Sequence, residues 1–188
     1  MGRVVYSFTV SVDGFIAGPE GRFDWGRPDE ELHRFHNERV RAVSVQLCGR
    51  RLYDTMRFWD EPAAVDPSAP AVMREFAEIW RAIPKVVVSR TLDADSLGAN
   101  ATLVREGVPE LVGALRERET GDIGIGGADL AATLLPLGLV DELHIFVAPV
   151  VVGGGTPYLP PLPAPMQLEL LDTRTFGGRV VHLRYRCG

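Results

Sequence analysis

The chain has 188 residues, 46% hydrophobic and 24% charged, with a formal net charge of −5. That length allows one domain with a full hydrophobic core. The acidic balance argues against broad nucleic-acid binding, which needs a basic face, and no apolar run approaches the ~20 residues of a membrane span.

The N-terminus reads straight into a strand, with no signal-peptide layout. Residues 3–12 are rich in Val, Tyr, Phe and Thr, and Asp13-Gly14 ends that strand. A Gly- and Pro-bearing loop runs to about Pro28, and Asp29 is placed to cap a helix through about Arg41. A strand over 42–48, a short helix over 51–56 and a proline-containing loop over 61–70 follow. The apolar spacing of Met73, Phe76 and Trp80 predicts a helix over 72–82. Strands are expected over 85–89, 101–104 and 122–126, with helices over 108–118 and 128–136. A long strand over 141–152, interrupted at Pro149, leads into three glycines and a proline-rich loop. Strands over 166–173 and 179–186 flank Gly177-Gly178, a hairpin turn. Strands alternating with helices and closed by a hairpin predict an α/β fold in one domain, with a mostly parallel sheet and an antiparallel edge.

In such a sheet, ligands sit at the carboxyl ends of the strands. Three predicted strand ends carry suitable groups: Gly49-Arg50-Arg51, Ser89-Arg90-Thr91 and Gly126-Gly127-Ala128. Adjacent glycines let backbone amides approach an anion closely, and arginine forks bond two phosphate oxygens at once. Together they suit a ligand with separated phosphates, such as NADPH. Each cluster alone also reads as a tight turn, a solvated face or a strand end. A standard dinucleotide fingerprint is rejected: Asp129 stands where its third glycine belongs, and Asp141 begins a strand where the acid should end one.

Other groups point to no chemistry of their own. Cys48 lies in an apolar strand and reads as a core residue. Cys48 and Cys187 are too few for a disulfide framework, so reduced thiols and a cytoplasmic location are expected. His33 and His36 share a helix face but lack the companions of a metal site. His144 and His182 fall in strands as packed or edge residues.

Ser11-Val12-Asp13-Gly14-Phe15-Ile16-Ala17, Cys48-Gly49-Arg50-Arg51-Leu52-Tyr53-Asp54, Val88-Ser89-Arg90-Thr91-Leu92 and Ile125-Gly126-Gly127-Ala128-Asp129-Leu130 occur in that order. Gly138-Leu139-Val140-Asp141-Glu142-Leu143 and Ala148-Pro149-Val150-Val151-Val152-Gly153-Gly154-Gly155 follow. This order resembles the dihydrofolate-reductase-like superfamily, closest to the reductase domain of the bifunctional riboflavin-biosynthesis deaminase-reductase and its stand-alone relatives.

The resemblance implies an NADPH-dependent reductase of a flat heterocycle. The pyrimidine reductase of riboflavin biosynthesis is the nearest activity, with a pterin reductase or a non-catalytic nucleotide-binding relative as alternatives. It implies that Gly49, Arg50 and Arg51 face the cofactor phosphates and that Ser89 and Arg90 hold the 2′-phosphate. Gly126, Gly127, Ala128 and Asp129 would lie against the pyrophosphate and nicotinamide ribose, and Ala17 and Gly18 would cover the nicotinamide. A cis peptide between Gly126 and Gly127 is a further feature of folate reductases. Relatives often place a Thr where this chain has Leu52. The proton donor stays open between Glu30 and His33, with Asp24 and Trp25 lining the substrate pocket. A homodimer is expected because relatives of this type commonly pair.

Overall fold

Six short runs rich in Val, Ile and Leu form parallel strands at the centre of a computed structural model that describes residues 1–188. They are β1 (Arg3–Val10), β3 (Val43–Gly49), β4 (Lys85–Val88), β5 (Ala101–Val104), β6 (Asp122–Gly126) and β7 (Glu142–Val147). The hairpin β9 (Leu168–Phe176) and β10 (Val180–Cys187) adds an antiparallel edge, giving the order β5-β4-β3-β6-β1-β7-β10-β9. A small second ribbon pairs β2 (Phe15–Ala17) with β8 (Thr156–Pro157).

Helices cover both faces. α4 (Val108–Arg118) and α5 (Ala128–Leu134) pack on Val4, Tyr6, Leu47, Ile123 and Leu143, which form the main core. On the other face lie α1 (Glu30–Val40), α2 (Arg50–Met56) and α3 (Ala71–Ala82). There Phe76 and Trp80 of α3 meet Cys48 and Val87, and Leu32 of α1 meets Phe146 and Phe176. Burying a leucine this fully contributes about 2 kcal/mol. The Asp29 carboxylate accepts the Leu32 amide at 2.9 Å, the expected cap at the start of α1.

Beneath α1 the sheet is polar. Glu142 is buried, and Arg184 grips it with two bonds of 2.8 and 2.9 Å. Arg3 adds a bond of 3.1 Å and His144 one of 3.0 Å. Burial pushes the Glu142 carboxyl up, but hydrogen bonds from Arg184 and His144 and the nearby arginine charges outweigh it and bring the pKa down to about 2. His144 then meets His182 at 3.3 Å. Burial, reinforced by the charge of Arg39, lowers His144 to about 3 and His182 to about 4, so both rings are neutral near pH 7. His36 is half-buried; desolvation, with the Arg39 charge next, lowers it to about 3, and its ring packs on Phe146. Burial lifts the Cys48 thiol to about 12, consistent with a core role.

Some boundaries differ from the sequence reading. The strand expected over 141–152 stops at Val147, because Pro149 cannot donate to the ladder and the following chain turns toward the β1 loop. The final hairpin strands extend to Phe176 and Cys187. The Gly126–Gly127 peptide is trans, and Gly127 meets its close neighbour through a positive φ of 121° instead.

Candidate active site

Because β1, β3, β4 and β6 run parallel, their carboxyl ends share one rim. Gly49, Ser89 and Gly126 are therefore brought together in space, although 77 positions separate the first from the last. The closest approach is between backbones: a Cβ built on Gly127 would stand 3.5 Å from the Cα and N of Gly49. At Gly126, an added Cβ would collide with the Leu52 side chain at 1.9 Å. At Gly126 the obstacle is the movable end of Leu52, whereas at Gly127 the φ of 121° strains any side chain whatever the space.

The arginines stand at one end of this rim. Arg50 and Arg51, exposed in the first turn of α2, follow Gly49 directly. Arg50 donates to the Thr91 hydroxyl at 2.9 Å and pairs loosely with Asp54 at 3.6 Å. Ser89 is buried, and its hydroxyl oxygen accepts the amides of Thr91 and Leu92 at 3.3 and 3.0 Å. That turn presents Arg90 to solvent while the Ser89 hydroxyl keeps its own proton to donate. Arg105, just past β5, donates to the carbonyls of Arg90 and Leu92 at 2.9 and 3.2 Å and braces the same turn. Sequence reading missed Arg105, since its role depends on a strand neighbour. Ala128 and Asp129 open α5 beside the glycines, with Asp129 exposed.

The loop carrying Ala17 and Gly18 is clamped. The Asp13 carboxylate accepts the amides of Val152 and Gly153 at 3.2 and 2.8 Å, which goes beyond the local turn expected from Asp13-Gly14. The Ser11 hydroxyl, followed by the Gly153 and Val152 amides, holds the Asp13 carboxyl below the usual carboxylate range. A Cβ on Gly155 would stand 2.0 Å from the Ala17 carbonyl oxygen, so glycine is needed at that position for this contact. Below it, Tyr6 and Tyr158 stack at 4.4 Å and each hydroxyl donates to the other's carbonyl.

The two proton-donor candidates part company. Glu30 is exposed and its carboxylate is paired with Arg34. His33 is half-buried on the side of α1 facing the next helices, with its ring 5.8 Å from Phe76 and 6.1 Å from Trp59. Burial lowers its pKa, opposed only partly by Glu75. Asp24 and Trp25 line a cavity of about 230 Å³ with Thr9, Leu32 and Pro149, at the ends of β1 and β7.

The architecture is that of a dihydrofolate-reductase-like α/β fold. The chain belongs to the RibD C-terminal domain family, whose model matches residues 3–182. It is 30% identical to the uncharacterized protein YyaP of Bacillus subtilis over 97% of this chain and 94% of that protein. Among solved structures, a proposed riboflavin biosynthesis protein from Shewanella sp. PV-4 superposes with a TM-score of 0.73 at 21% identity, covering 100% of this chain and 99% of that one. The Thermotoga maritima diaminohydroxyphosphoribosylaminopyrimidine deaminase/5-amino-6-(5-phosphoribosylamino)uracil reductase gives 0.66 at 16% identity, covering 100% of this chain and 57% of that one. Enterococcus faecalis dihydrofolate reductase, complexed with NADP(H), gives 0.64 at 17% identity, covering 100% and 97%. No helix is long and apolar enough to cross a membrane.

Proposed function

We propose that this chain is an NADPH-dependent reductase that transfers hydride to a flat heterocycle, most like 5-amino-6-(5-phosphoribosylamino)uracil reductase. The family and the fold support a reductase-type activity. The observation that carries the cofactor reading is the shared rim, where glycine backbone without side chains adjoins Arg50, Arg51 and Arg90. A bare backbone next to cationic forks fits a pyrophosphate with a further phosphate at one end.

In this reading Arg50, Arg51, Ser89 and Arg90 hold the phosphate-bearing end, with Gly49 giving the backbone room. Gly126, Gly127, Ala128 and Asp129 lie along the middle. Ala17 and Gly18, pinned by Gly155 and Asp13, exclude water from the reactive ring. NADPH bound there supplies the hydride; the protein orients it. Of the two proton carriers this reading takes His33, because the Glu30 carboxylate is engaged at the surface. Its neutral imidazole must first gain a proton to act as an acid, so turnover should fall as pH rises through a pKa below 6.5. Asp24 and Trp25 line the substrate side, and the working unit is a homodimer in the cytoplasm.

Titration of the purified protein with NADPH and NADH tests the cofactor. Binding of NADPH at least ~10-fold tighter than NADH is expected from the arginine end; equal and negligible binding of both sinks the proposal. A second reading, a nucleotide-binding protein without turnover, draws on Leu52, whose apolar side chain covers Gly126. Single-turnover oxidation of bound NADPH by a pyrimidine or pterin substrate rules against it.

A further inference from the structure

The last strands of the sheet are covered unequally. On one side Phe35 of α1 meets Phe146, Phe176 and His182, and all three are buried. On the other side α5 packs on β3 and β6, and Leu162 and Met166 of the proline-rich segment lie against the main core. Beyond them the alternate residues Ile145, Val147, Val181 and Leu183 stay only half-buried, and Leu170, opposite Tyr185, is 53% exposed. A sheet face turned to solvent normally carries polar residues at these alternate positions. Here the outward residues are apolar.

The charges of the hairpin are directed elsewhere. Arg184 grips Glu142, Arg174 reaches Glu31 of α1 at 3.0 Å, and Arg186 pairs with Glu169 at 2.5 Å. Between Glu142 and Glu169 the chain has no Lys, Arg, Asp or Glu, so the proline-rich border of the face is uncharged too. Val151 in that border is 69% exposed. The free edge of β9 is blunted. Leu170 pairs with Tyr185 and Asp172 with Arg184, which leaves Leu171 unpaired in a bulge, a feature that discourages the addition of a further strand. Contact through the face is therefore favoured over contact through the edge.

We infer that the outer face of β7, β10 and β9 is a docking surface for a second copy of this chain, the two sheets packing face to face across a two-fold axis. The inference rests on the homodimer of the proposed function and gives it a surface; it does not depend on the cofactor. Phe8 of β1, half-buried opposite Ile145, extends the face by one strand. Four strands at ~4.8 Å and about eight residues at ~3.3 Å give a face on the order of 500 Å² per copy. Two such faces reach the ~1,000 Å² that a specific interface needs. A two-fold contact sets the patch against its own image, so a face without charge meets no like-charge repulsion although each chain carries −5. A bilayer would call for a basic border, which this face lacks.

Sedimentation velocity of the full chain at micromolar concentrations tests the surface. The parent should sediment at twice the 20.6 kDa of one chain. Leu170→Glu/Thr173→Glu, at two exposed positions of this face, should raise the dimer dissociation constant ~100-fold or more with an unchanged circular dichroism spectrum. Leu170→Ser, which removes apolar contact without adding charge, should weaken association about 10-fold, and it decides the matter where the charged pair does not fold. Phe58→Glu, at an exposed apolar residue just after α2, should leave the dimer intact; its dissociation too would overturn the assignment to this face. Dimers that persist in both Leu170 variants overturn this surface and leave the homodimer reading standing. A monomeric parent overturns both, and co-sedimentation of that monomer with vesicles of equal phosphatidylcholine and phosphatidylglycerol gives the face to a bilayer instead. A dimeric parent that binds no NADPH removes the cofactor reading alone.

Discussion

The rim at the ends of β3, β4 and β6 and the floor beneath α1 are both dense in charge, yet they dispose of it in opposite ways. Under α1, Glu142 meets Arg184, Arg3 and His144, and the histidines stay neutral. On the rim, Arg51 and Arg90 stand exposed, and glycine backbones meet without side chains between them. Charge whose partners are inside the protein fixes strand register and helix placement. Charge left facing solvent beside bare backbone is available to a ligand. The contrast separates structural arginines from binding ones better than their exposure alone.

Breaking the buried side should have the largest effect. Glu142→Ala leaves Arg184 and Arg3 without their shared carboxylate and should cost about 3 kcal/mol, read by urea denaturation, while any NADPH affinity of the folded fraction is retained. A loss below ~1 kcal/mol means that the network is solvated in solution.

On the rim, Gly127→Val should weaken NADPH binding by about 100-fold without unfolding the chain, because the new side chain needs a strained φ and enters the gap beside Gly49. Circular dichroism and cofactor titration separate the two effects. Ser89→Glu/Arg90→Glu should reduce NADPH affinity roughly 10-fold or more and leave NADH nearly unchanged. Equal losses for both nucleotides contradict the placement of the 2′-phosphate.

The buried histidines set a pH dependence. Their unfolded pKa is about 6.5, whereas in the fold His144 titrates at about 3 and His182 at about 4. Between these values the unfolded chain binds more protons, so stability falls as pH drops from about 6.5 toward 4. Glu142 acts in the same direction at lower pH, its contribution being lost as pH falls through about 2. Replacing His182 with Gln should flatten the slope of unfolding free energy by about 1.4 kcal/mol per pH unit in that window. The smallest effect is expected at Arg105→Ala, which frees the turn around Arg90 and should weaken NADPH a few-fold, about 1 kcal/mol.

Much of this molecule was legible along the chain because its signals are local. Alternating apolar runs marked the central strands, the spacing of Met73, Phe76 and Trp80 marked α3, and Asp29 marked the start of α1. The strand-end motifs could be read because a parallel sheet places all such ends on one side. The order of pairing was not legible, nor were the contacts that depend on it. Asp13 looked like a simple turn residue until Val152 and Gly153 were brought against it. Arg105 carried no motif, and Glu142, His144 and His182 alternate with apolar neighbours as ordinary strand residues would. Local backbone preference and hydrophobic periodicity act over a few residues, so the sequence by itself determined the elements and their chemistry. Which charges were neutralised and which stayed free was decided only by tertiary packing, since it depends on groups more than a hundred positions apart meeting at hydrogen-bond distance.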